Sequence, residues 1–325
     1  MDKNALPYYP NTIKIEFTQG CNRHCKFCGT QGIADVNFLQ RDTLEKILYI
    51  VSTANRKFRL ELGMHGEPLL NPNTIEYLAY IKQVLPKCFI QLITNGDKIR
   101  DNTYSIKTLL NFVDDLAMDV YDEYDFDKIK AYAKQLKTEY PNGSIEIMQN
   151  GVSFYAEKKK GIKRILLIPP LDLQSNLNVV SRTLSTHCGA GMDPKSVLIK
   201  KDKRCHMPFR QLAFRYDGNV CFCCDDFRGE LPIVNVMAKD IHHFADVWWH
   251  PRFNAFRRIL FHEGRHIVPC SNCNARGNRL GLLPDPMGKL TLRKPSKEDY
   301  ALWEEALKEG PLAKIRRREW EKEND

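Results

Sequence analysis

Between residue 12 and about residue 170 the chain switches repeatedly between apolar patterning of period two and of period 3.6. This alternation restricts the fold more than any other feature. "TIKIEFT", "FRLELG", "FIQLITN", "VDDLAMDV", "SIEIMQN" and "RILLIPP" read as strands. Between them "RDTLEKILYIVSTANR" carries Leu44, Ile47, Leu48 and Val51 at helical spacing, with Asp42 and Glu45 in capping-box register. "NTIEYLAYIKQVL", "TYSIKTLLNF" and "FDKIKAYAKQLK" are further helices, the first ended by Pro86. Strands that alternate with helices pair in parallel through right-handed crossovers. Six such units give an α/β fold, a partial (β/α)6 TIM-like barrel, in which chemistry belongs on the loops at the carboxyl ends of the strands.

The loop after the first strand, "FTQGCNRHCKFCGT", holds Cys21, Cys25 and Cys28 within eight residues. Three thiolates on one loop can hold three irons of a 4Fe–4S cubane and leave the fourth open, which is what a catalytic metal needs. The alternative is a zinc site completed by His24 or by a distant residue, although zinc ligands usually pair in C-x2-C knuckles. The chain has 11 cysteines, most of them in C-x3-C-x2-C, C-x-C-C and C-x2-C groups. "MDKNALPYYPNTIKIEF" has no basic stretch leading into an apolar one, and no apolar run approaches membrane-spanning length. The expectation is a cytoplasmic protein with reduced thiols that ligate metal rather than form disulfides. A formal net charge of +9 is consistent with an anionic substrate or partner, and equally with a generally basic surface.

"CNRHCKFC" after a first strand resembles the cluster loop of the radical S-adenosylmethionine (radical SAM) superfamily. The resemblance implies a 4Fe–4S cluster on Cys21, Cys25 and Cys28 whose free iron binds S-adenosylmethionine. Reductive cleavage of that cofactor then yields a 5′-deoxyadenosyl radical that abstracts hydrogen from substrate. It also implies a flavodoxin- or ferredoxin-type reductant. Phe27 occupies the aromatic position near the adenine. "LGMHGEPLLNP" follows the second strand, where the family has its GGE-type motif, with His65 in place of the first glycine. There Gly66 is expected to allow close backbone approach to the ligand, and Glu67 to accept from the methionine ammonium. Thr94 and Asn95, which end the third strand, and Asp119, which ends the fourth, are further candidates to meet the cofactor.

After Pro170 the pattern changes. "CHMPFRQLAFRYDGNVCFCCDD" reads as a hairpin turning at Asp217-Gly218, followed by a helical stretch leading to "CSNC". These segments resemble the twitch or SPASM extension of radical SAM enzymes. That resemblance implies an auxiliary 4Fe–4S cluster held by Cys205, Cys223, Cys270 and Cys273, with Cys224 as the alternative hairpin ligand. No cysteine follows Cys273, so the one-cluster twitch form fits better. Taken alone, the same residues also suit a structural zinc ribbon. Cys88 reads as buried packing, and Cys188, on the loop after the sixth strand, as a loop thiol or a hydrogen-atom donor to a product radical. The resulting division is a barrel core over 1–195, an auxiliary domain over 196–285 and a charged helical tail over 286–325. Acidic residues follow the basic triplet Arg316 to Arg318, which favours a solvated helix face over a nucleic-acid arm.

The residues specify initiation of the reaction better than its outcome. The first reading is an enzyme acting on a small anionic or nucleotide-type substrate. Peptide modification is the second, disfavoured by the short stretch ahead of the first strand. Modification of a nucleic-acid base or sugar is the third, carried by charge alone. A non-enzymatic iron–sulfur or zinc-ribbon protein is the reading from another class. No general acid or base is assigned, and no membrane partner is expected.

Overall fold

The computed structural model describes residues 8–119 except Lys26 and Ala34, the strands at 144–147 and 164–168, residues 205–275 and 290–310, and single positions that include Thr186, Cys188, Ala190 and Gly191. Of the helix expected over 126–137 only Ala131, Lys134 and Gln135 are described, all helical, and the Arg316 to Arg318 triplet lies outside the described residues.

The first half alternates as its periodicity requires: β1 (Thr12–Ile15), α1 (Arg41–Ser52), β2 (Arg59–Leu62), α2 (Thr74–Val84), β3 (Phe89–Thr94), α3 (Ile106–Phe112) and β4 (Asp115–Asp119). β5 (Ser144–Ile147) and β6 (Arg164–Ile168) complete this half. α1 buries Leu44, Ile47, Leu48 and Val51 against the sheet, each worth about 1.5–3 kcal/mol over exposure. Its start differs from the capping-box expectation. The helix begins at Arg41 after an uncapped Gln40, and Asp42 lies inside the first turn, where it favours the positive helix end.

β1 to β4 pair in parallel in chain order, but β6 lies between β4 and β5. The composition of the two strands explains the inversion. "RILLI" is nearly all apolar and suits an interior position, whereas "SIEI" alternates as an edge strand does.

The second half continues the same sheet. β7 (Gln211–Phe214) pairs in parallel with β1, in the register Thr12↔Gln211 to Ile15↔Phe214. β8 (Asn219–Cys221) and β9 (Pro232–Asn235) then add antiparallel strands beyond it. The expected hairpin forms at Asp217-Gly218, with Gly218 at φ +80°. The described strands of the main sheet number nine, in the order β9-β8-β7-β1-β2-β3-β4-β6-β5. α4 (Phe244–Trp248) and α5 (Pro251–Glu263) form the expected helical stretch. Buried Arg257 ties α5 to the turn after Cys205, donating from Nε to Pro208 O at 2.9 Å and from Nη1 to Trp248 O at 2.6 Å.

α6 (Lys297–Glu309) is docked on α5. Its Ala306 is fully buried, and Asp299 pairs with the buried Arg258 of α5 at 2.5 Å. Some of its charged residues pair with α5, where Arg252 makes two bonds to Glu309, at 2.6 and 2.7 Å. No helix among the described residues is long and apolar enough to cross a membrane.

Candidate active site and auxiliary metal centre

The loop that leaves β1 is fixed by backbone before any cysteine is reached. Gly20 N donates to His65 O, and Glu67 N to Gly20 O, both at 3.0 Å. Gly66 lies between them. A Cβ there would stand 2.3 Å from both Thr18 O and Gly20 O. The close approach expected of Gly66 is therefore made to the cysteine loop itself, and the loop and the "GEP" turn form one unit.

Cys21, Cys25 and Cys28 follow, all half-buried. Burial, with Cys28 and Cys21 nearby, pushes the Cys25 thiol up to about 11. Crowded thiols that resist ionisation are the environment a cationic metal reverses, because it binds the thiolate outright. Protein donors already reach two of the sulfurs: Arg23 N is 3.4 Å from Cys21 Sγ, and Thr30 Oγ1 is 3.2 Å from Cys28 Sγ. The donor set thus fits a three-thiolate iron–sulfur site.

Glu67, Thr94 and Asn95 come together with the loop. Glu67 is 3% exposed and accepts from Thr94 Oγ1 at 2.7 Å, from Leu69 N at 2.9 Å and from Asn95 N at 2.7 Å. Asn95 in turn reaches Asn22 Oδ1 at 2.9 Å and Cys21 Sγ at 3.5 Å. Glu67 organises the strand ends through these bonds. Asp119 is close enough to act electrostatically on both Cys25 and Glu67, and Phe27 is half-buried on the loop.

Burial pushes the Glu67 carboxyl up to about 7 despite its three donors. The folded chain therefore holds a proton that the unfolded chain, at about 4.3, releases. Stability of the metal-free protein should fall as pH rises from about 4.3 through about 7. Urea midpoints at pH 5 and pH 8 should show this decline in the wild type and a smaller one in Glu67→Gln.

Sequence reasoning missed two contacts of this region. Asp97, just past β3, accepts from Asn22 Nδ2 at 2.7 Å and Arg23 Nε at 2.6 Å, and also pairs with Arg100. Burial alone would raise the Asp97 carboxyl, but the bonds from Arg23, Arg100 and Asn22 hold it down at about 2. The loop's own arginine, beside an acid one residue past "ITNG", was the available signal.

His65 is the second. It is fully buried, with Nδ1 2.8 Å from Glu16 Oε1 and Nε2 2.8 Å from Cys224 O. Its ring lies 4.4 Å from that of Phe227, which covers Gly29 so closely that a Cβ there would meet the ring at 2.6 Å. The histidine that replaces glycine thus joins the first cysteine loop to the hairpin carrying Cys223 and Cys224.

Past that hairpin lies a small cavity lined by Cys188, Cys205, Cys223, Cys270, Cys273 and Arg265, among others. Cys224 does not line it, and its sulfur accepts from Gln211 Nε2 at 3.1 Å. Cys188 stands here, on the stretch after β6, among the auxiliary thiols; the sequence reading of a loop thiol or hydrogen-atom donor does not specify these neighbours. Thr186 brings it there, accepting from Asn274 N at 3.2 Å and donating to Asn272 O at 2.5 Å. Cys88 is buried packing as expected, its sulfur accepting from Phe58 N at 3.4 Å.

Arg265 supplies the test of fit. It is 3% exposed and donates from Nη1 to Cys273 O at 2.9 Å, while Nε and Nη2 find no partner among the described residues. Buried guanidinium donors left unused are costly unless an anion meets them. Converging thiols beside such donors match an anionic cluster whose sulfurs accept hydrogen bonds.

Residues 15–121 match the sequence profile of the radical SAM superfamily, and residues 205–274 match that of SPASM, an iron–sulfur cluster-binding domain. The chain belongs to the radical SAM superfamily. It is a radical SAM enzyme whose cofactors are a 4Fe–4S cluster, S-adenosylmethionine and an auxiliary cluster. Its fold is similar to that of BtrN in complex with AdoMet and 2-DOIA: TM-score 0.60, 20% identity, 83% of this chain and 94% of that chain. BtrN in an open conformation gives a TM-score of 0.54 at 18% identity, with the same 83% and 94% coverage. The native anSMEcpe structure with AdoMet and Cp18Cys peptide gives 0.47 at 16% identity, covering 92% and 97%. No curated protein matches the chain in sequence. This radical SAM core and its auxiliary domain share one sheet, through the pairing of β1 with β7.

Proposed function

We propose that this enzyme abstracts a hydrogen atom from a small anionic or nucleotide-type substrate and passes an electron from the resulting radical to the auxiliary cluster. The observation that carries this reading is the cavity behind the hairpin, where converging thiols and a buried guanidinium adjoin the S-adenosylmethionine loop through His65 and Phe227.

Cys21, Cys25 and Cys28 would hold the first cluster, which, given an electron by a flavodoxin- or ferredoxin-type protein, would supply reductive cleavage of S-adenosylmethionine. Asn95 steadies Cys21, and Glu67 fixes Asn95 and Thr94, so that the strand ends present a constant surface to the cofactor. Asp119 and Phe27 complete the cofactor's surroundings. Cys205, Cys223, Cys270 and Cys273 hold the auxiliary cluster; with all four corners on protein it suits electron transfer better than substrate binding. The basic balance of +9 supports an anionic substrate, and a small molecule, 2-DOIA, is named in the BtrN complex. The reading places the enzyme in the cytoplasm.

Anaerobic reconstitution should give about eight irons and eight sulfides per chain, two cubanes in all. Dithionite with S-adenosylmethionine should then release 5′-deoxyadenosine, read by mass spectrometry. Substrates carrying phosphate or carboxylate should raise that yield and, when deuterated at the reacting carbon, pass deuterium into the 5′-deoxyadenosine. Colourless protein, or 5′-deoxyadenosine yields indifferent to every anionic candidate, would overturn the proposal.

A further inference from the structure

Arg265 is the one cation among the described residues that line the auxiliary cavity. Its backbone is placed by the end of α5, where Gly264 N donates to Leu260 O at 3.1 Å and Gly264 turns the chain at φ +64°. Its side chain is placed by the C-x2-C loop, through the bond from Nη1 to Cys273 O at 2.9 Å. That loop is closed on itself, Cys273 N donating to Cys270 O at 3.0 Å. A planar guanidinium anchored at one nitrogen has its other donors set in direction. Nε and Nη2 are those donors, and both are unspent among the described residues.

The acids on the same wall leave the arginine its charge to use. Asp226 spends both carboxylate oxygens on backbone, Oδ1 on Glu230 N at 2.8 Å and Oδ2 on Leu231 N at 3.0 Å. With Asp225, Asp226 and several thiols on its lining, the cavity is strongly anionic once the thiols bind metal. Arg265 is the counter-charge built into that wall, and its burial, at 3% exposure, keeps water from screening it.

We propose that Arg265 is a positioning and tuning residue of the auxiliary centre, whose charge and two spare donors raise the reduction potential of the cluster bound there. Net charge and hydrogen bonds to sulfur are among the levers that set such potentials. A nearby cation stabilises the reduced cluster, which is one charge more negative, over the oxidised one. The centre is thereby biased toward accepting the electron that the substrate radical loses. This deepens the oxidative reading above and rests on it.

The test uses the full chain carrying Cys21→Ala, Cys25→Ala and Cys28→Ala, so that only the auxiliary site can load. Iron and sulfide are counted, and the midpoint is read by anaerobic titration with EPR detection. Adding Arg265→Met removes the charge and the donors but keeps an apolar stem. It should leave about four irons in place and lower the equilibrium constant for reduction at least tenfold, a shift of about 59 mV to more negative potential for one electron. Arg265→Lys, which keeps the charge and loses the fork, should fall between. A purely structural side chain would alter loading or thermal stability and leave the midpoint of the loaded protein unchanged, and that result overturns the proposal. Where the Met variant loads no iron, the Lys variant decides. A Lys midpoint below the parent's sustains the proposal, and one equal to it or above refutes it. Failure of both variants to load makes Arg265 structural and refutes it too. A parent triple variant that loads no cluster is a separate result, which refutes the function proposed above and this inference with it.

Discussion

Gly66→Ala should yield a chain that loses at least ~3 kcal/mol of stability and fails to take up the first cluster. Overpacking commonly costs about 1–3 kcal/mol when neighbours can shift. Here the obstacles are two backbone carbonyl oxygens 2.3 Å from the new carbon, and both belong to the strand end and loop that carry the cysteines. Moving them breaks the Gly20–His65 and Glu67–Gly20 bonds and displaces Cys21. Gly96→Ala is the control. Gly96 is at φ +74° with its nearest neighbours 4.0 Å away, so it should cost only the left-handed penalty of about 1–2 kcal/mol. Thermal denaturation and iron content of the two variants separate these effects. Equal losses would show that the contact at Gly66 is not the constraint.

Asp299→Ala should have a comparable effect from the opposite end of the chain. Asp299 is 2% exposed and meets Arg258 Nη2 at 2.5 Å and Arg293 Nη1 at 2.7 Å, while capping α6 through Ser296 N at 2.9 Å. Removing it leaves the buried Arg258 guanidinium without its carboxylate, a loss of about 3–5 kcal/mol, and takes away a cap worth about 1 kcal/mol. Burial alone would raise the Asp299 carboxyl, but Arg258, the Ser296 backbone and Arg293 hold it at about 2. Its contribution is therefore complete above about 4 and disappears as pH falls through about 2. Urea denaturation of the Ala variant should show the lowered midpoint, and Arg258→Met combined with Asp299→Leu should recover much of it. A single variant as stable as wild type would refute the account.

Periodicity reported local elements well, since it records which side of an element meets apolar neighbours. The apolar spacing of Leu44, Ile47, Leu48 and Val51 was legible because each meets the sheet. Cysteine spacing marked both metal sites, because contiguous loops carry most of the ligands. Long-range pairing left no such trace. Nothing in "QLAF" announces that it lies parallel to "TIKI", and a parallel partner 199 positions away leaves no periodic signature. The place of Cys188 beside the C-x2-C loop left no trace either, since that loop is far along the chain and Thr186 makes the link. Arg265 carries no local motif, and its part in the site emerges only when its donors are found without partners. His65 looked like a tolerated departure from a glycine. The fold gives it a use, through Glu16 at the end of β1 and the Cys224 carbonyl.

The pairing of β1 with β7 has a consequence for how such enzymes can vary. β1 leads toward the loop of Cys21, Cys25 and Cys28, and β7 follows Cys205 after one short helix, so the relative placement of the two cysteine clusters is set by ladder registration rather than by a tether. Registration changes only in whole residues, and a single-residue step turns every inward side chain outward. The separation of the two cysteine clusters is thus quantised by the backbone, and lengthening surface loops should leave it untouched.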